Sequence, residues 1–536
     1  MSSIQPPNNS DSSSPSEKSE NAAGRSRQRS IWTNFRFLGF LGFFLIFMVP
    51  LGFHYGIGAF FFACITFVEV VVLFNILIIV HELGHFLAAK WCGLKIEKFA
   101  IWFGKPIWSK RIDGIDYILG SIPAGGYVAL PQMANPDSVE GKSETPLEDM
   151  PPASPGQKII VAFAGPLFSF GLAFVFACIV WMVGKPVGYS EGTTTIGYAI
   201  PGGPAAKAGV QAGDVIQNIN GQKISRWIGV GDGVTWNIIT STQVPMTLDV
   251  LRDGKPLTFK ITPELDPDQP QHWWQRATPP RVQITPAEKD IIIEKVLPYS
   301  PAAIAGFQKG DRLIAMNGVP LFSDYPLYQS MKTAPDAAFT LTAMRGSETL
   351  TKTVQPVKPI SPKDLPKDGP QTDIGIEFDN NADVVQVYPT PWNQISESVN
   401  MVRSTLTALF TPHSNVGPSQ LSGPVGIMNL FFAILSSDNG WKIALWFAVV
   451  INVNLAILNL LPFPILDGGH ILLSVIEWIR RRPLSMTILE PLQTAFALLL
   501  MGYMAYITFF DVQDSGRMVM NAGDDTVQFA PKSGTP

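Results

Sequence analysis

The stretch from Gly58 to Val80 contains one charged residue, Glu69, and is long enough to cross the hydrocarbon core of a bilayer. In lipid no water can satisfy its backbone, so such a stretch must be helical. It runs directly into His81-Glu82-Leu83-Gly84-His85. Positions four apart share one face of a helix, so His81 and His85 can hold a single Zn²⁺, leaving Glu82 to act as a general base. The alternative reading makes the two histidines helix-end residues satisfied by backbone or headgroups. Glu69 lies about 18 Å up the helix from His81, too far to share a metal with it.

The remaining apolar residues also fall in blocks, at about 158–184, 441–466 and 484–510, and the first block reaches back to about 37. Charged residues are only 15% of the 536, and their scarcity follows the blocks. That pattern predicts a polytopic α-helical membrane protein with a soluble insert in its middle third. A net charge of −4 gives no global basic field and argues against a nucleic-acid partner. Cys64, Cys92 and Cys178 lie in or beside apolar segments and make no disulfide framework. Arg25, Arg27, Arg29 and Arg36 place the N-terminus on the cytoplasmic side. Five spans from there bring His81, His85 and Arg480-Arg481-Arg482 to the cytoplasmic side and the insert to the outside.

The insert repeats itself. Pro204 to Asn220-Gly221 and Pro301 to Asn317-Gly318 match at a constant offset, since 301 − 204 = 97 and 318 − 221 = 97. Each copy predicts a short helix, a Gly-Asp turn, an alternating strand and an Asn-Gly hairpin turn. These stretches resemble PDZ domains, which add an extended peptide or a peptide C-terminus to a sheet edge.

A catalytic zinc with two histidines lacks one protein ligand. Asp467, in Leu466-Asp467-Gly468-Gly469-His470, falls on the same predicted side as His85 and is the first candidate. A helix-ending Asp-Gly-Gly turn is the alternative, and His470 is a rival ligand.

His81-Glu-Leu-Gly-His85, Asn459-Leu-Leu-Pro-Phe-Pro-Ile-Leu-Asp467-Gly-Gly469, Ala164-Gly-Pro166, Leu421-Ser-Gly-Pro424 and the paired repeats together resemble the site-2 protease family. The resemblance covers roughly residues 60–510. It implies Zn²⁺ held by His81, His85 and Asp467 with Glu82 as the base. It implies a membrane-embedded zinc site, a re-entrant β-hairpin loop and two extracytoplasmic PDZ (α+β) domains. It also implies a bacterial inner-membrane location and hydrolysis of single-span membrane proteins within the lipid bilayer after a first outside cut. The substrates it implies are an anti-sigma factor or remnant signal peptides. Gly125, Gly126 and Tyr127 are expected to position an extended substrate, with Asn454 and Asn459 bonding the substrate or the loop around Asp467.

The expected order is a disordered N-terminus (1–35), an extra span (36–57), the span with the histidines (58–93) and a loop with the β-region (94–156). A span (157–185), PDZ domains (188–283 and 284–388) and an amphipathic interfacial region (390–440) follow. Spans at 441–470, carrying Asp467, and 483–511 precede a tail (512–536). Two features depart from the family's pattern: Ser169 stands where an Asn is usual, and the span before Gly58 is additional.

Overall fold

The computed structural model describes residues 57–133, 152–242, 244–265, 276, 278–360, 369–379, 384–412, 414–482, 486–521 and 528–529. The expected disordered terminus and the body of the extra span lie outside these residues, as does most of the tail. The chain divides into two compact units, residues 1–153 and 154–536.

In the first unit, helix α1 (Ile57–Trp91) carries apolar residues around its whole circumference, with few polar ones among them. It ends in a Schellman turn. Gly93 takes φ 71, the Leu94 N–H reaches the Ala89 carbonyl at 2.9 Å, and the Gly93 N–H reaches that of Lys90. Leu94 is buried beside it. The region expected to hold a β-hairpin forms a four-stranded sheet of β1 (Lys98–Phe103), β2 (Trp108–Ile112), β3 (Ile115–Leu119) and β4 (Ile122–Ala129). Its order is β2-β3-β1-β4, with β1 and β3 parallel and the other pairs antiparallel. Asp113-Gly114, both at positive φ, make the tight β2–β3 turn. One sheet face packs on α1 through Phe86, whose ring lies 5.2 Å from Phe99 and 6.2 Å from Tyr117.

The second unit opens with α2 (Pro155–Val183). Ser154 and Gln157 form a capping box, and Pro155 pre-sets the first helical φ. After the insert come α3 (Pro391–Phe410), α4 (Pro424–Leu435), α5 (Gly440–Asn459), α6 (Asp467–Arg480) and α7 (Met486–Asn521). Ala173 and Ala177 of α2 pack on Val449 and Val453 of α5, all inaccessible to solvent. Small residues let two backbones approach where lipid offers no hydrophobic drive to associate. Ser169, in the same stretch of α2, is also fully buried. Lys158 of α2 pairs with Glu477 of α6 at 2.8 Å.

Helix α3 is amphipathic, and its buried face carries Gln394, Ile395, Ser398 and Val402. The Gln394 side chain donates to the Ala177 carbonyl of α2 at 2.9 Å. This face is therefore packed on α2 and α5, with Ile395 among Ala173, Ala177, Val449 and Val453. Four helical stretches among the described residues are long and apolar enough to cross a membrane: Phe61–Trp91, Pro155–Val183, Gly440–Asn459 and Leu489–Asp514.

Between α2 and α3 stand two α+β copies with separate cores, one around Ile196, Ile216 and Leu248, the other around Ile293, Leu313 and Leu341. In each, a buried Asp follows the Gly of the turn. Asp214 accepts from Arg252 at 2.6 and 2.7 Å and from the Gln211 backbone N–H. Asp311 accepts from Arg345 at 2.7 Å and from the Gln308 N–H. Each arginine also donates to the carbonyl that closes the short helix, Gly209 or Gly306. The Arg345 guanidinium holds the Asp311 carboxyl below its usual range. Asn220 and Asn317 each accept at 2.8 Å from a backbone N–H of the next strand in the sheet, that of Thr247 or Thr340.

Candidate metal centre

A helix rises about 1.5 Å per residue and turns every 3.6, so His81 and His85 must lie one above the other. Their Nε2 atoms are 3.2 Å apart, with ring planes at 80°. A tetrahedral zinc with bonds of about 2.0–2.1 Å sets two ligand nitrogens about 3.3 Å apart. The donor pair therefore fits zinc in both chemistry and spacing. His81 is buried and His85 half-buried, and Gly84 between them is buried in turn, keeping that face of α1 narrow.

Glu82 is half-buried and lies against the sheet. A methyl group placed on Gly126 would sit 3.4 Å from the Glu82 Cγ and 3.0 Å from the Ala100 carbonyl oxygen. Gly125 has φ 80, and a methyl there would run into the Phe103 ring at 2.0 Å. Tyr127 stacks on that ring at 6.1 Å and 7°. Gly126 thus permits β4 to run close to the face of α1 that carries Glu82. β4 is an edge of the sheet, and among the described residues no strand pairs with its other side.

In the second unit the span does not continue to Asp467. Helix α5 ends at Asn459, and Asp467 is the first residue of a new helix, α6. The 460–466 loop turns back tightly. A methyl on Gly468 would meet the Leu460 carbonyl oxygen at 2.2 Å, and one on Gly469 would meet that of Phe463 at 1.9 Å. Asp467 is half-buried at a helix N-terminus, where a carboxylate is favoured. His470 falls in the first turn of α6, its N–H bonded to the Leu466 carbonyl. Asn454 and Asn459 are both half-buried on α5. Asn452, which the sequence does not single out, is fully buried. Its Nδ2 donates to the Ala448 carbonyl at 2.8 Å, and its Oδ1 has no partner among the described residues. Only its place in an apolar span could have drawn attention to it.

The model of peptidase family M50 matches residues 69–503, most of the chain and both of the segments just described. The chain belongs to this family, the site-2 proteases. Among similar proteins is the regulator of sigma-E protease RseP of Escherichia coli K12, 30% identical over 77% of this chain and 91% of that one. The regulator of sigma E protease of Salmonella typhi is 29% identical over 77% and 91%. A protein of Neisseria meningitidis serogroup A, named as a candidate zinc metalloprotease, is 28% identical over 82% and 97%. The M50 chain described here is accordingly a bacterial membrane zinc metalloprotease, and zinc is the metal that the His81–His85 pair fits.

Proposed function

We propose that this protein hydrolyses transmembrane segments of single-span membrane proteins inside the bilayer, after a first cut outside. One observation carries the reading: a zinc-spaced histidine pair and a glutamate end a helix apolar enough to span, with the edge strand β4 against that glutamate. Zinc bound there supplies a water whose pKa is lowered toward about 7 and polarises the scissile carbonyl. Glu82 takes the proton of the attacking water and delivers it to the leaving amine. Asp467 completes the ligand set with His81 and His85. The family motif and a carboxylate at the start of α6, following an apolar span, support this assignment. Asn454 and Asn459 hold the substrate or the Asp467 loop.

A transmembrane helix hides its carbonyls in its own hydrogen bonds, so it must be unwound before cleavage. The β4 edge, with Gly125, Gly126 and Tyr127, receives the unwound segment as an added strand. The sheet enters the membrane from the cytoplasmic side. Its exposed Ile107, Trp108, Ile112 and Ile122 side chains support this placement. The two copies at 196–378 are PDZ-like modules on the periplasmic side. They exclude substrates that have not been shortened or bind extended segments and peptide C-termini. The substrate class is an anti-sigma factor, a reading supported by relatives named as regulators of sigma E, with remnant signal peptides as a second. The N-terminus is cytoplasmic, on the strength of its arginines.

The test is cleavage of a model single-span protein by purified enzyme in detergent, wild type beside Glu82→Gln, with zinc assayed in both. Zinc in both and cleavage in the wild type alone are expected, a loss of at least about 10²-fold. Undiminished cleavage by Glu82→Gln removes Glu82 as the base.

A further inference from the structure

Helix α1 carries a polar side chain in its span that the zinc chemistry does not use. Asn75, about 9 Å before His81 along the axis, is only 6% exposed. Both ends of its amide are engaged: Nδ2 donates to the Val71 carbonyl at 2.7 Å, and Oδ1 accepts from the indole N–H of Trp102. Trp102 has φ 70. A bulky residue in the left-handed region is strained and persists only where its surroundings hold it.

Trp102 also marks the break in the β1–β4 register. Ile101 lies opposite Gly126, but Phe103 lies opposite Ile122, so one residue of β1 faces three of β4. Just past this break Gly126 runs against Glu82, and Phe103 fills the space beside Gly125. The other ties between sheet and helix around Phe86 are apolar ring contacts. Such contacts resist separation but are not directional, so they tolerate sliding. A hydrogen bond in a low-dielectric interior is strong and directional, and it fixes position along the helix. A slip of one strand residue is about 3.4 Å and would turn every side chain to the other face.

We propose that the Asn75–Trp102 hydrogen bond is a latch that fixes the β4 edge relative to Glu82, making both residues positioning residues that select which peptide bond of an extended substrate is cut. The proposal rests on the protease reading above and adds to it the device that sets cleavage register.

The experiment compares Asn75→Leu, Trp102→Phe, the double variant, Trp102→Gly and Asn75→Asp in the full-length enzyme. It measures zinc content, KM and kcat on a model single-span substrate, and product ends by mass spectrometry. With the latch lost, zinc stays bound, KM rises about tenfold and the single product becomes a set cut at neighbouring bonds. The double variant is no worse than either single one, because both remove the same bond. Trp102→Gly relieves the left-handed strain while removing the N–H. It accumulates normally yet cuts raggedly, so a mere stability role predicts the opposite result. Asn75→Asp keeps an acceptor oxygen and restores the single product.

Wild-type KM and one product in Trp102→Gly, or additive losses in the double variant, would overturn the latch. If Asn75→Leu does not accumulate, Trp102→Gly decides alone. Cleavage that depends on Glu82 but ignores Asn75 and Trp102 sinks only the latch. Cleavage indifferent to Glu82 overturns the protease reading and the latch with it.

Discussion

Helix α1 and the duplicated copies at 196–378 use polar residues in opposite ways. In the copies, the buried acids are structural. Asp214 and Asp311 each tie an arginine and a backbone N–H to the turn that follows the short helix, and the arrangement is built twice. In α1 the polar residues are few and are not duplicated. His81 and His85 form a donor pair, Glu82 lies against a strand edge, and Asn75 holds a tryptophan. In a water-exposed α+β domain a buried charge needs only a partner to persist. In a spanning helix every polar group also opposes insertion, so those present are expected to have a task.

Asp467 tests that contrast most severely. If it is a zinc ligand, Asp467→Asn should lose most of its zinc on dialysis and all measurable proteolysis, while His470→Ala keeps both. Zinc retained at wild-type level in Asp467→Asn, with lowered stability, would make it an acid of the Asp311 kind. Gly125→Val should come next. Its φ of 80 and the Phe103 ring leave no room for a side chain, and displacing β4 by about 1 Å should cut kcat/KM about 10²-fold. Stability of the duplicated copies, followed by hydrogen exchange, should not change.

Smaller effects belong to the copies. Arg252→Met leaves the buried Asp214 carboxylate without its main partner and should destabilise that copy alone by about 2 kcal/mol. Arg345→Met should act in the same direction on the other copy, and less strongly because Arg345 is 34% exposed. Hydrogen exchange should rise in the strands of one copy, with zinc content intact. The smallest effect is on acid sensitivity. Arg345 lowers the folded-state pKa of Asp311 from its ordinary 3.8. The pair's stabilisation is therefore complete above about pH 4 and is withdrawn as pH falls through the lower folded value. Between pH 7 and 5 the second copy should show no change from this pair, and Arg345→Met should flatten its response below pH 4.

Much of this was legible in the chain because it is periodic. The repeat offset of 97 finds both Gly-Asp turns and both Asn-Gly hairpins. It does not find the arginines. Arg252 and Arg345 are 345 − 252 = 93 apart, because the second copy is four residues shorter between turn and strand. A carboxylate's partner is chosen by where a strand passes in space. The 441–470 stretch shows the same limit. Its composition reads as one span, yet α5 stops at Asn459 and Asp467 starts another helix, because Gly468 and Gly469 admit carbonyls that any side chain would exclude.

The sequence by itself determined which segments can span a membrane, that two histidines and a glutamate share the end of one of them, and that the insert is duplicated. Hydropathy and helical or repeat periodicity are local properties that need no knowledge of the fold. Only the tertiary structure decided that a four-stranded sheet packs on α1, that Gly126 of its edge meets Glu82, and that Asn75 reaches a left-handed Trp102. Those facts depend on which backbones approach within a few ångströms, and no local pattern encodes that.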